Sequence, residues 1–367
     1  MKKIGITGAD GLLGFHLRAY LTKINHTEFI VGSRELFQDE KKLNDFVEKV
    51  DVVVHLAGAT RGDDSEVYKV NKTLTDLLIH SLERSTNPPS VVFSSTVQIQ
   101  QDTGYGRSKR EGGEALLAWG LQAKVPVSVL VIPNVFGEYA RPHHNSVIAT
   151  FATDLIEGRD SEINEGAERI FIYAQDVARI LYEYSMNTAH GEFVVEEGEK
   201  LSIGDVYAML ASFNKEYTDG NIPHTHSLFQ KHLFNTFQSY LPDSYYPHAF
   251  HVHSDQRGDL FEILHHKGDG MVFSSTTKKG ETRGNHWHTR KMERFTVLQG
   301  NAEMNVRKLF SKEIVTYKLS GGTPSFVDTK TFTVHSLVNV GNEDLVTMFW
   351  ANEIYNKEDP DTYPQNV

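Results

Sequence analysis

The sequence predicts an α/β doubly wound sheet over residues 1–243 and an all-β barrel over residues 244–367. Three observations carry that expectation. A chain of 367 residues exceeds what one hydrophobic core serves, so two domains are expected. Through residue 185, short β-branched runs alternate with helical stretches, the pattern of a parallel sheet covered by helices. Beyond Pro242-Asp243-Ser244 the texture changes to short alternating runs broken by turn signals, as in an antiparallel barrel or sandwich.

Taken in order, the first strand spans residues 3–7 and runs into a glycine turn, from which a helix over 12–21 departs. Strands over 28–31, 52–56, 91–94 and 127–132 follow, with a further helix over 68–82. In the second half, 294–298 and 302–306 read as strands joined at Gln299-Gly300-Asn301. No cysteine is present, which excludes disulfides and thiolate metal sites and fits a reducing compartment. Met1-Lys2-Lys3 leads straight into the first strand without an apolar signal core, and no stretch reaches membrane-spanning length. A cytoplasmic protein with no membrane partner is therefore expected. The formal net charge of −11 argues against nucleic acid, whose phosphates need a basic face. A small anion can still bind through local dipoles and a few basic side chains.

The first candidate site begins at Thr7-Gly8-Ala9-Asp10-Gly11-Leu12-Leu13-Gly14, between a strand and a helix. Glycines there permit a tight turn and close approach of backbone to a pyrophosphate, which the helix N-terminus then attracts. The second strand ends Val31-Gly32-Ser33-Arg34 and carries no acidic residue there. An acidic side chain would hold a ribose 2′-hydroxyl, whereas Arg accommodates a 2′-phosphate, so Ser33 and Arg34 point to NADPH. Tyr105-Gly106-Arg107-Ser108-Lys109 places a phenol and an ammonium four residues apart on one helix face. An ammonium nearby is expected to lower the phenol, fitting it for proton transfer at a carbonyl. A hydroxyl from Ser94-Ser95-Thr96 completes the set.

These residues resemble the extended short-chain dehydrogenase/reductase family, with its Rossmann-type sheet, over roughly residues 1–240. His55-Leu56-Ala57-Gly58, Asn71, Pro133-Asn134-Val135-Phe136-Gly137 and Asp176-Val177 belong to the same resemblance. It implies that Tyr105 is the catalytic acid, Lys109 its partner and a nicotinamide-ribose ligand, and Thr96 the third hydroxyl, with Ser95 as the alternative. It further implies cofactor contacts from Gly8, Gly11, Leu12, Leu13, Gly14, Leu56, Ala57, Gly58, Asn71 and Pro133, and substrate contacts from Asn134 and His144. Only eight residues separate Thr96 from Tyr105, which trims the substrate loop, and Val131-Ile132 stand where the family often has Arg.

The second candidate site follows the pattern G-x5-H-x-H-x4-E-x6-G, from Gly280 through His286, His288 and Glu293 to Gly300. Imidazoles two apart face the same side of a strand and reach one ion. Glu293 from the next strand and the later His335, followed by Asn339, complete a three-histidine, one-carboxylate set suited to zinc or another divalent first-row ion. The spacings together identify a cupin jelly roll, although Lys330 and Phe332 occupy places where Pro and Gly are customary. Residues 254–262, including Arg257, resemble the D-x-R-G-x-F-x-E signature of RmlC-type sugar epimerases, and Arg283-Gly284-Asn285-His286 resembles their R-G-L-H segment. Arg257 and Arg283 suit bidentate contacts with a diphosphate. The second resemblance makes His286 a proton-abstracting base, a role that competes with metal ligation; ligation is favoured, leaving the base unassigned. His248, His251 and His253 alternate as if on one strand, where packing or solvation accounts for them.

The combination resembles the CapF-type capsular-polysaccharide enzymes along the whole chain, including residues 145–151 and the terminal Pro360-Asp361-Thr362-Tyr363. That resemblance implies a bifunctional homodimer acting on a UDP-linked 4-keto-6-deoxy-2-acetamido sugar. The barrel inverts C3, and the reductase delivers hydride from NADPH to C4, giving UDP-2-acetamido-2,6-dideoxy-L-talose on the route to L-FucNAc. Two alternatives leave the barrel a dimerising or sugar-sensing module, or give it iron and oxygen chemistry.

Overall fold

A computed structural model describes residues 2–187, 189–255, 258–261, 263–264 and 270–367, with backbone alone for 253–255 and 258–261. The first half runs β1 (Ile4–Thr7), α1 (Leu12–Lys23), β2 (Phe29–Val31), α2 (Glu40–Val47), β3 (Val52–His55), α3 (Asp64–Arg84), β4 (Ser90–Thr96), α4 (Gly104–Ala123) and β5 (Val127–Ile132). There follow β6 (Asn134–Phe136), α5 (Val147–Glu157), β7 (Glu168–Tyr173), α6 (Ala174–Met186), β8 (Gly191–Val194), β9 (Glu199–Ser202), α7 (Ile203–Thr218) and α8 (Leu228–Gln238). After a 3-10 turn at Asp243–Tyr245 come the strands β10 (His248–Ala249), β11 (Val252–Asp255), β12 (Gly258–Phe261), β13 (Met271–Thr277), β14 (Thr282–Trp287), β15 (Glu293–Gln299) and β16 (Asn301–Lys308). The series ends with β17 (Val315–Ser320), β18 (Ser325–Asp328), β19 (Thr333–Asn339), β20 (Leu345–Ala351) and β21 (Tyr363–Pro364).

Two compact units result, one of Met1–Thr150 and Glu162–Val206, the other of Phe151–Ser161 and Tyr207–Val367. The change from helix to strand near residue 243 thus differs from the division by packing, which joins 207–243 to the barrel. Tyr217 shows why: its hydroxyl bonds the Asp328 carboxylate and the Tyr246 hydroxyl, both in the second unit.

In the first unit, six parallel strands lie in the order β2-β1-β3-β4-β5-β8, beside a small sheet β6-β7-β9. Burial on both faces explains runs such as Val52-Val53-Val54. Val52 and Val54 pack with Leu17, Leu21, Val177 and Leu181 of α1 and α6, while Val53 packs with Leu43, Leu78 and Leu116 on the opposite face. Local signals start the helices: Asp63 accepts from the Ser65 and Glu66 amides at α3, and Thr103 accepts from Gly106 at α4.

The second unit holds two five-stranded sheets, β10-β18-β15-β20-β13 and β17-β16-β19-β14-β21, plus the β11-β12 ribbon. The turn at Gly300, in the left-handed region at φ +91°, carries the chain from β15 in one sheet to β16 in the other. Phe295, Val297 and Phe326 from one sheet meet Met304, Leu319 and Leu337 from the other, forming the core of a jelly roll.

Candidate functional site

Each unit carries one site. In the first, the sheet order reverses at β1, flanked by β2 and β3, which places a crevice at the carboxyl ends of those strands. Gly8 adopts φ +69° there, and a Cβ on it would lie 2.6 Å from the Ala57 amide nitrogen. A Cβ on Gly14 would lie 2.4 Å from the Gly8 carbonyl oxygen. Gly11 caps α1 without a side-chain acceptor, and no acidic residue stands in the first turn, so the amides leading into Leu12 and Leu13 are available to an anion. The cradle fits a dinucleotide pyrophosphate.

Around it, the 56–59 loop of Leu56, Ala57 and Gly58 is held from below. The Ala57 amide donates to Thr7 Oγ1 at 3.3 Å, and Asn71 accepts from the Ala59 amide at 2.6 Å while donating to its carbonyl at 2.9 Å. Asn71 therefore fastens backbone. Ser33 and Arg34 follow β2 on the exposed surface. Asn134, next to Pro133, donates to the Ile170 carbonyl at 3.2 Å. His144 Nε2 lies 3.2 Å from Thr60 Oγ1, and burial with Arg141 and Arg61 lowers its pKa.

Tyr105 and Lys109 both lie in α4, drawn close to α3 because Gly104 has no side chain: a Cβ there would sit 1.9 Å from the Asp64 carbonyl oxygen. Lys109 is buried, donates to the Ser94 carbonyl at 2.8 Å and lies 4.6 Å from the Phe93 ring centre. Burial brings its pKa down to about 8. Burial pushes the Tyr105 hydroxyl up to about 12. The expected lowering of the phenol by Lys109 is thus corrected: desolvation dominates while the ammonium is turned to a backbone carbonyl. Of the two candidate hydroxyls, Thr96 Oγ1 accepts from the Gln98 amide at 3.3 Å, whereas Ser95 Oγ is buried with no hydrogen-bond partner among the described residues. His55 contributes more than its motif suggested. It lies 2.8 Å from Thr7 Oγ1, ties β1 to β3, and is held neutral by burial and by Lys109, with its pKa near 3.

In the second unit, β14 and β19 place His286 directly opposite His335. A bulge between Gly284 and His286, with Gly284 at φ +95° and Asn285 at φ +58°, re-aims the strand just before its first histidine. One donor atom from each of His286, His288, Glu293 and His335 lies within 4.8 Å of all the others. Glu293 Oε2 stands 3.4 Å from Nε2 of His288 and of His335, and 4.0 Å from that of His286. Four ligands placed about 2.1 Å from one tetrahedral ion would be ~3.4 Å apart. Among the described residues, Nε2 of His288 and His335 is buried without a hydrogen-bond partner, an arrangement that a cation would satisfy. Burial acts to raise Glu293, but the three imidazoles crowded around it outweigh that and hold the carboxyl well below its usual range. Burial brings His335 down to about 4. The donor set fits a divalent first-row ion.

A cavity of about 260 Å³ opens on this cluster. Its walls are apolar at Phe295, Met304 and Phe349, while Arg283 and Lys291 bring positive charge to it. Arg283 is already engaged, donating to Thr277 Oγ1 at 2.9 Å and to the Thr276 carbonyl at 2.8 Å. Arg257 lies outside the described residues. His248 and His253 fall on separate strands, β10 and β11, which corrects the single alternating strand; His248 stacks on Tyr245. Phe332 takes φ +56° at the position where glycine is customary, with its side chain fully buried. Asn339 holds a turn, accepting from the Gly341 amide and donating to the Thr277 and Glu343 carbonyls.

Comparison with known proteins agrees with both halves. Residues 4–195 match the NAD dependent epimerase/dehydratase family, and residues 253–363 match the polysaccharide biosynthesis C-terminal domain. The whole chain is 31% identical to 99% of a Pseudomonas aeruginosa protein named UDP-2-acetamido-2,6-beta-L-arabino-hexul-4-ose reductase. It aligns over 100% of both chains with the capsular polysaccharide assembling protein CapF of Staphylococcus aureus, at 30% identity and a TM-score of 0.63. It also shares its first-half fold with Pseudomonas aeruginosa RMD complexed with NADPH, at 19% identity and a TM-score of 0.56 over 66% of this chain and 98% of that one. The chain belongs to the NAD dependent epimerase/dehydratase family, in the CapF-type arrangement in which that domain is followed by a cupin of the polysaccharide biosynthesis C-terminal kind.

Proposed function

We propose that this chain is a bifunctional enzyme of capsular polysaccharide assembly. Its substrate is a UDP-linked 2-acetamido-2,6-dideoxy-4-hexulose, epimerised at C3 in the barrel and then reduced at C4 in the first unit. The product is UDP-2-acetamido-2,6-dideoxy-L-talose, toward UDP-L-FucNAc. The observation that carries this reading is the presence on one chain of a dinucleotide cradle with Tyr105 and Lys109 and of a three-histidine, one-glutamate cluster opening on a cavity.

The ketone links the two chemistries. A proton on C3 is acidic because the C4 carbonyl spreads the resulting charge, so a base in the barrel cavity removes it and a proton returns on the other face. His286, His288, Glu293 and His335 would hold zinc, which supplies Lewis acidity to a carbonyl or enolate oxygen. Arg283 stands at the cavity for the diphosphate. In the first unit, NADPH supplies the hydride for C4. Arg34 would meet its 2′-phosphate, the amides of Leu12 and Leu13 its pyrophosphate, and Lys109 its nicotinamide ribose. Tyr105 then donates the proton that O4 requires, assisted by the Thr96 or Ser95 hydroxyl. A cytoplasmic homodimer without nucleic-acid or membrane partners is part of the same proposal; among the described residues no helix is long and apolar enough to cross a membrane.

The test is NADPH oxidation against a small panel of UDP- and dTDP-linked 4-keto sugars. The UDP-linked 2-acetamido-6-deoxy substrate should be consumed, and Tyr105→Phe should slow that consumption by about 10²–10⁴-fold. Failure of wild-type protein to oxidise NADPH with any member of the panel would overturn the reading.

A further inference from the structure

The loop of residues 288–292 has a candidate metal ligand, His288, at its start and another, Glu293, immediately after its end. Its shape therefore sets the distance between two donors. What shapes it lies some seventy positions later. Asp361 is buried, and its carboxylate accepts from the amides of Thr289 (3.1 Å), Arg290 (2.9 Å) and Lys291 (2.9 Å), and from Thr289 Oγ1 (2.6 Å). Three successive amides turned toward one anion make a concavity that only a charged acceptor fills well. Burial acts to raise the Asp361 carboxyl, and those donors together with His288 more than offset it, keeping it below its usual range.

The backbone carbonyl of the same residue accepts from His288 Nδ1 at 2.5 Å. That bond places the ring proton on Nδ1 and leaves the Nε2 lone pair facing Glu293 and the cluster. Asp361 itself is held in the left-handed region at φ +42°, between the carboxylate anchor and β21, which pairs with β14 at His286 and Trp287. One short segment thus braces both histidines of the H-x-H pair.

We infer that Asp361 is the positioning residue of the barrel's metal cluster, its carboxylate shaping the 288–292 loop and its carbonyl orienting the His288 ring. The inference rests on the metal-dependent reading above. Asp361→Asn keeps the side-chain size but removes the negative charge and one of the two acceptor oxygens that these donors share. Amide exchange in metal-free protein should then accelerate at 289–291. Competition against a chromophoric chelator should show Co²⁺ bound about 10–100-fold more weakly than by wild type, with an altered visible Co²⁺ spectrum. Thr289→Val, which removes one contact alone, should give a smaller loss in the same direction and serves if Asp361→Asn does not fold. Wild-type Co²⁺ affinity and spectrum in a folded Asp361→Asn protein, or in Thr289→Val where only that variant folds, would overturn the inference alone. Failure of wild type to bind Co²⁺ or Zn²⁺ would overturn the metal reading, and the inference with it.

Discussion

Lys109 carries an ammonium into a site with no carboxylate within salt-bridge distance among the described residues, its partner being the Ser94 carbonyl at 2.8 Å. Taking that charge out of water costs stability, which is why its pKa falls from 10.5 to about 8. Below pH 8 both folded and unfolded chains keep the proton, so the full penalty is present. Between about 8 and 10.5 the unfolded chain binds more protons than the folded one, so stability attributable to this group rises with pH. Lys109→Met should therefore unfold at a higher temperature relative to wild type at pH 7 than at pH 10, while losing reductase activity. A difference that widens with pH in thermal scans would contradict the assignment. His55 belongs to the same account: kept neutral beside Lys109, it adds no second charge to the crevice.

At the scale of elements, the cradle is set by backbone contacts that leave no room for side chains. Gly14 is the clearest case, because a methyl there meets the Gly8 carbonyl and not a yielding side chain. Gly14→Ala should lower the unfolding temperature and weaken NADPH binding by at least about tenfold, measured by cofactor fluorescence titration; unchanged binding would show that α1 adjusts. Much of this element was legible in advance. The β-branched runs at 52–56 and 127–132 fell on β3 and β5 because strands buried on both faces leave continuous apolar runs. The Gly280–Gly300 spacing led to the clustered His286, His288 and Glu293 because each of them occupies or adjoins a strand of the barrel. Less was visible where contacts join distant segments. Nothing local to Asp361 says that it holds a loop some seventy residues earlier, and the bond of Lys109 to Ser94 emerges only when α4 packs under β4. Texture also marked the helix-to-strand change near 243, whereas Tyr217 and its Asp328 bond tie α7 to the barrel.

For the whole molecule, the chemistry of the ketone favours two activities on one chain. A 4-keto sugar keeps its C3 proton labile, so an epimerised centre reverts until the carbonyl is reduced. Reduction ends that exchange. On the proposed reading the barrel cavity deprotonates, the crevice reduces, and one ketone serves both. The most direct measurement follows the product made by intact protein in D₂O from the UDP-linked 4-keto substrate and unlabelled NADPH. Mass and NMR analysis should find a single solvent deuterium, at C3, with protium from the cofactor at C4. A reduced product carrying hydrogen from the substrate at C3 would mean that the ketone is never used to loosen its neighbour, and the account of the barrel as an epimerase would be wrong.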